Sequence, residues 1–369
     1  MLTRRRLRTL LDPWAIAQGR RKAPGPAKTG LLIVQAGGMG DTLLFQLFLD
    51  RFRPLARPGE TITLLLRQDA AKMAFLYPDD VAILALDFTR LLTDLAYRMR
   101  TVADLRARNL RAVLSVDWRR HAYLDDALIQ ACEAAEILGF APKPWPKYQS
   151  LLDANAGRFT RLVTLPRPMP MMSRWSHLAH ELTGVAAPLP KVSLPTRWLS
   201  APEPLARPPI LIQPFASSRD RQPRPDFWLR LMAAFPDRDF VLIPGPDDLA
   251  RNPDYRVLLE RARLDIRRFP DLIALLRAAK LVVCVDSAIM HLAQAAGAPT
   301  LGLATAAYLG EVTPYEPEAD PGNAHPLWVP MPCQGCVGDC RRPFVGEQYE
   351  CVSRLDPETA IARMRNLLG

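Results

Sequence analysis

The sequence predicts an α/β chain of two doubly wound, Rossmann-like domains, and three observations predict it. Short continuous apolar runs alternate with helical patterns; a proline-rich stretch interrupts the alternation; beyond it the alternation restarts. At 369 residues the chain is also longer than one ordinary domain.

Residues 1–28 read as a basic leader, MLTRRRLRTLLDPWAIAQGRRKAPGP at its start. It lacks an apolar core followed by a small-residue cleavage site, so a secretory signal is not expected and a cytoplasmic location is. The first domain, 29–190, has strands expected at 31–36, 61–67, 81–87 and 111–117, with helical patterns at 42–53, 89–107 and 121–139. Strands that are apolar throughout belong to parallel sheets covered on both faces. Residues 191–208 form the linker, the centre of a proline-rich stretch. The second domain, 209–369, repeats the pattern with strands at 210–216, 239–245, 281–286 and 299–304. Its helices are expected at 225–235, 248–263, 271–280, 287–297 and 356–368. Ligands of such sheets bind at the carboxyl ends of the strands, so a cleft faced by both domains is the expected site.

Hydrophobic residues make up 49% of the chain, and no apolar run reaches the ~18 residues of a membrane helix. The net charge of +10 suits anionic substrates, anionic lipid or nucleic acid. Free use of arginine produces the same excess, and no basic–aromatic interleaving points to nucleic acid.

Four stretches stand at expected strand ends. In LLIVQAGGMGDTLL, Gly37, Gly38 and Gly40 make G-G-x-G, which is not the dinucleotide fingerprint; the glycines are expected to allow a sharp turn. Asp41 reads either as the cap of the following helix or as a carboxylate able to take a proton from a hydroxyl. After the first strand of the second domain, Ser217 and Ser218 stand with Arg219, Arg221 and Arg224; hydroxyls and guanidinium forks suit a diphosphate, and a solvated turn is the plainer alternative. Asp247, in Gly245-Pro246-Asp247-Asp248, could accept from ribose hydroxyls or simply cap a helix. In VDSAIMH, Ser287 is the expected N-cap of a helix start open to an anion. Asp286 precedes it, Ala288 follows, and His291 lies one turn on, as a ligand-facing or a structural histidine.

Cys333, Cys336, Cys340 and Cys351, spaced C-x2-C-x3-C-x10-C, suggest a structural zinc or iron site rather than disulfides. Cys132 and Cys284 fall in apolar patterns and read as buried fillers.

Taken in order, Gly40-Asp41, the Pro-x-Ala-Ser loop at 214–217, GPDD at 245–248 and VDSAIMHLAQAAGAPTLGL at 285–303 resemble the bacterial heptosyltransferases, glycosyltransferase family nine. The resemblance runs over residues 30–368 and implies a GT-B fold and an inverting glycosyltransferase. It implies a nucleotide diphosphate-sugar donor, ADP-heptose foremost, and no cofactor for the chemistry itself. Asp41 matches the general base; Arg221, Ser217 and the 287–291 helix start match the diphosphate site, and Ser218, Ser287 and Ala288 are expected in the donor site with them. Asp247 matches the ribose contact, and Asp286 and His291 match the signature. The implied acceptor is a lipopolysaccharide-core-type glycolipid, with peripheral contact to an anionic membrane. Relatives that glycosylate autotransporters carry an iron-bound cysteine cluster, which makes a protein acceptor, and an oligomer, the alternative. The chain departs from the family pattern at Phe215 and Ala288, each in place of glycine, and at Arg221-Gln222-Pro223-Arg224 in place of Lys and Trp-Pro. Phe215 and Ala288 are expected to crowd the donor. A scaffold that has lost activity and a nicotinamide-dependent oxidoreductase are the rival readings, and the absent fingerprint counts against the latter.

Overall fold

A computed structural model describes residues 27–369, so the leader expected at 1–28 lies almost wholly outside the described residues. The chain forms two compact units. The first runs to Pro168 and includes Ser173–Ala187; the second comprises Met169–Met172 and Pro188–Gly369.

The first unit holds a sheet of β1 (Leu31–Gln35), β2 (Ile62–Arg67), β3 (Val81–Leu86), β4 (Ala112–Ser115), β5 (Glu136–Phe140) and β6 (Arg161–Val163). Its order is β3-β2-β1-β4-β5-β6, and every pairing is parallel. Leu31, Leu32, Ile33 and Val34 are wholly buried because helices cover both faces of this central strand. One core packs Leu32 and Val34 against Leu105, Leu128 and Ile129.

The second unit repeats the plan with β7 (Ile210–Gln213), β8 (Phe240–Leu242), β9 (Arg263–Leu264), β10 (Leu281–Val285), β11 (Thr300–Leu303) and β12 (Ala324–Leu327). Its order is β12-β11-β10-β7-β8-β9, again wholly parallel. Numbered within its own unit, each sheet therefore runs 3-2-1-4-5-6. The order reverses between first and fourth strands, β1 and β4 in one sheet, β7 and β10 in the other, and ligands of such sheets bind at that reversal.

Five helices bear on the site or its support: α1 (Met39–Phe45), α2 (Asp125–Ala131), α3 (Pro225–Ala233), α4 (Ala288–Ala295) and α5 (Pro357–Leu368). Among the described residues no helix is long and apolar enough to cross a membrane.

Two of the expected helices differ in the structure. That over 248–263 is a short helix, Asp248–Arg251, then a 3-10 helix, Pro253–Glu260, with Arg263 already in β9, because Pro253 cannot continue the first. The helix expected over 121–139 stops at Ala131, Glu133 turns into the left-handed region at φ 46°, and Glu136–Phe140 becomes β5 beside β4. An apolar run such as Ile137-Leu138 fits either structure, and a free sheet edge decides for strand. At the start of the stretch 191–208, Val192 donates to Ala319 O at 2.9 Å and Leu194 to Ala295 O at 3.1 Å, with both side chains buried.

Candidate active site

At the head of the first sheet, the loop Ala36-Gly37-Gly38 leaves β1 and enters α1. Asp41 is not the cap of that helix. Gly38 occupies the N-cap, and Asp41, in the first turn, reaches back so that its Oδ2 accepts from Gly38 N–H at 2.7 Å. Asp117, just beyond β4, accepts from Ala36 N–H on its Oδ2, also at 2.7 Å. Two carboxylates thus hold alternate amides of one short loop.

None of Gly37, Gly38 and Gly40 has a positive φ, so the expected sharp turn does not depend on glycine's conformational freedom. Gly37 is required by space: a Cβ there would lie 2.5 Å from Asp41 Oδ2 and 2.6 Å from Gln35 Nε2. Gln35 is fully buried; Thr42 Oγ1 donates to its Oε1 at 2.9 Å, and its Nε2 has no hydrogen-bond partner.

Asp117 retains partial exposure as a residue, yet its carboxyl is enclosed. Burial first, then the charges of Asp125 and Asp41, push it up to about 8, against the Ala36 N–H and Arg120. Burial likewise raises Asp125 to about 7, although His121 N–H donates to it at 2.6 Å. Beneath them Arg120 and Asp126, both fully buried, pair at 2.6 Å and fix the chain between β4 and α2.

At the head of the second sheet, Arg221 reaches from the loop after β7 to the end of β10. It donates to the Asp286 carbonyl, its Nη2 lies 3.5 Å from Asp286 Oδ2, and its Nη1 donates to Ser217 Oγ at 3.3 Å. The guanidinium also stacks over the Tyr308 ring at 4.9 Å. Ser217 and Ser218 are exposed beside it, and Ser218 Oγ donates to Asp220.

The three arginines of this loop do not converge. Arg219 turns away to Asp254, Asn252 and the Tyr255 ring, because Asp254 offers it a two-pronged ion pair. Phe215 does not crowd the loop either: its ring is buried and packs on Tyr255 at 5.1 Å, where an apolar side chain gains most.

Ser287 stands at the N-cap of α4, but its hydroxyl donates to Gln213 Oε1 at 3.1 Å instead of capping. The helix start therefore has no side-chain cap and no acidic residue in its first turn, and Ala288 is buried there. His291 is buried with Nδ1 2.5 Å from the Tyr315 hydroxyl. Burial holds it at about 4, Asp286 opposing and Arg221 adding to the shift, so its imidazole is neutral at neutral pH. Asp286 also accepts from Thr305 Oγ1 at 3.3 Å. Asp247 is exposed on the turn after β8, where Asp248, not Asp247, accepts from Gly245 N–H at 2.7 Å.

Cys333, Cys336, Cys340 and Cys351 line one small cavity with Ala306, Ala307 and Tyr349. Burial raises the Cys336 and Cys351 thiols, and the neighbouring thiols raise them further. Among the described residues no group of three or more His, Cys, Asp or Glu is set around one point to hold a metal ion. Cys132 and Cys284 are buried free thiols.

The sequence reading did not single out Asp117, Gln35, Tyr308 or Tyr315. Asp117 had one signal, an acidic residue ending an apolar run; the other three had none.

Residues 158–334 match the family model described as glycosyltransferase family 9 (heptosyltransferase). That stretch is a glycosyltransferase family 9 domain. The enzyme is a glycosyltransferase, and its fold is shared with solved members of the class. The Escherichia coli heptosyltransferase WaaC, solved with ADP-2-deoxy-2-fluoro heptose, aligns with a TM-score of 0.64 at 16% identity, over 91% of this chain and 99% of that one. The E. coli ADP-heptose lipopolysaccharide heptosyltransferase II aligns at 0.61 and 14% identity, over 92% and 98%. The iron-containing dodecameric glycosyltransferase TibC from enterotoxigenic E. coli aligns at 0.53 and 15% identity, over 94% and 78%. No curated protein matches this glycosyltransferase in a sequence comparison.

Proposed function

We propose that this glycosyltransferase moves a heptose from ADP-heptose to a hydroxyl of a lipopolysaccharide-core-type glycolipid, inverting the anomeric carbon. The observation that carries the reading is Asp41, a carboxylate fixed by the Gly38 N–H at the strand-order reversal of the first sheet. The heptosyltransferases solved with ADP-heptose analogues support the donor.

The acceptor hydroxyl attacks the anomeric carbon as its proton passes to Asp41, and the bond to the diphosphate breaks. A carboxylate is a weak base, and a proton transfer late in C–O bond formation suffices. The charge left on the diphosphate falls to Arg221, Ser217, Ser218 and the uncapped start of α4, donors already in place before it develops. Asp286 holds Arg221, neutral His291 supports the α4 side through Tyr315, and Asp247 takes the ribose. The reaction is assigned to the cytoplasmic face of the membrane, where the +10 charge favours an anionic surface.

Calorimetry with ADP, GDP, UDP and NADH tests the donor: ADP alone binds, and Arg221→Ala weakens it about tenfold or more. Asp41→Asn is expected to bind ADP normally and lose about 100-fold or more in transfer. Wild-type turnover by Asp41→Asn would remove the base assignment.

One observation favours a second reading. Four thiols share a cavity, the Cys336 and Cys351 thiols are raised by burial and by their neighbours, an effect that a cation opposes, and TibC is an iron-containing heptosyltransferase. In that reading Cys333, Cys336, Cys340 and Cys351 close on iron or zinc, and the acceptor is a protein. Elemental analysis of the purified protein should find about one metal per chain. A metal-free protein whose four thiols alkylate without chelator sinks it.

A further inference from the structure

The base assignment leaves open what keeps a carboxylate aimed from so short a loop, and the neighbouring strand supplies a candidate. The ladder between β1 and β4 pairs Val34 with Ser115, and Val116 N–H still reaches Val34 O at 3.2 Å. One step further Ala36 N–H would lose its partner, and Asp117 Oδ2 takes it at 2.7 Å. The next alternate amide, Gly38 N–H, belongs to Asp41. Gly37 between them is pressed so closely on Asp41 that no side chain fits. Movement of Ala36 is therefore movement of the surface on which the Asp41 carboxylate rests.

We infer that Asp117 is a positioning residue for Asp41: its carboxyl grips Ala36 N–H from β4 and fixes the glycine loop against which Asp41 is folded. The inference rests on Asp41 serving as the base. It uses Asp117 as a neutral acid, since its burial and its acidic neighbours favour the protonated form up to about pH 8. The charged groups facing it are Asp41 at the start of α1, Asp125 on α2 and Arg120 on the connecting loop.

The test compares Asp117→Ala, which removes the grip, with Asp117→Asn, which keeps an acceptor for Ala36 N–H and cannot ionise. Hydrogen exchange on the purified chain reads the loop without any substrate. Asp117→Ala is expected to speed exchange over residues 36–41 about tenfold or more, and Asp117→Asn to leave it near wild type. Transfer from ADP-heptose to heptose-deficient lipopolysaccharide reads the chemistry. Asp117→Ala is expected to lower kcat about 10- to 100-fold with KM for the donor unchanged. Asp117→Asn, which keeps an acceptor for Ala36 N–H, is expected to retain activity. Unchanged exchange in Asp117→Ala overturns the inference, as does a loss of activity in Asp117→Asn equal to that in Asp117→Ala. Failure of the base reading shows separately, as turnover retained by Asp41→Asn.

Discussion

At Gly37 one missing atom decides the geometry of the candidate base. A methyl group there would sit 2.5 Å from Asp41 Oδ2, closer than real contacts allow, with Gln35 Nε2 at 2.6 Å on the other side. Gly37→Ala is therefore expected to displace the carboxylate, costing about 1–3 kcal/mol of stability by overpacking and about 100-fold in transfer. ADP binding, proposed for the other sheet, should persist; calorimetry and a transfer assay on the same preparation check both. His291 gives a second prediction at this scale, with its sign set by burial. Folded, it resists protonation down to about 4, whereas unfolded it protonates near its ordinary 6.5. Between those values the unfolded state binds the extra proton, so stability present above about pH 6.5 is lost as pH falls. The loss is about 1.4 kcal/mol per pH unit inside that window. Asp117 and Asp125, raised by burial, titrate with the opposite sign in the same range, so the difference between the wild type and His291→Gln in urea melts at about pH 7 and about pH 5 isolates the histidine.

The elements were legible where burial made them uniform. Leu31-Leu32-Ile33-Val34 and Leu281-Val282-Val283-Cys284-Val285 read as strands because a parallel strand covered on both faces is apolar at every position. Of the strands that went unread, β5 lies inside its sheet, where an apolar run fits a buried helix equally well; the others are edge strands, and their residues show why: Arg161 and Arg263 face water, and β12 carries His325-Pro326. The candidate site was legible only as far as chain order could show it. Asp41, Arg221 and the 286–291 segment stand out because each follows a strand, but Arg219 and Arg221 look alike until Asp254, 35 residues from Arg219, claims one of them. Asp117 was hidden for the same reason, since its meaning comes from a strand paired across the sheet. The buried pair of Arg120 and Asp126 carries this logic into energetics. Both are fully enclosed, so Asp126→Ala strands a guanidinium without its counter-charge. The expected cost is about 3–5 kcal/mol, read as a lowered denaturant midpoint. A loss under about 1 kcal/mol would mean that the Phe140 carbonyl and the Phe159 ring suffice for Arg120.

For the whole molecule, the proposed roles fall on two sheets of the same strand order. Each has its own apolar core, and each places polar groups at its own reversal, carboxylates on one and a guanidinium with hydroxyls and an uncapped helix start on the other. A ligand that engages only the second group stabilises the unit that carries it, by mass action on that unit's unfolding. ADP at about 100 times its Kd adds about 2.7 kcal/mol, which slows the most protected amides about 100-fold. That slowing is expected in β7 to β12 and not in β1 to β6, because units with separate cores need not unfold together. Hydrogen exchange with and without ADP measures it strand by strand. Equal slowing in both sheets would show one cooperative transition. No slowing in the second sheet, in a protein that binds ADP, would place the nucleotide away from Arg221.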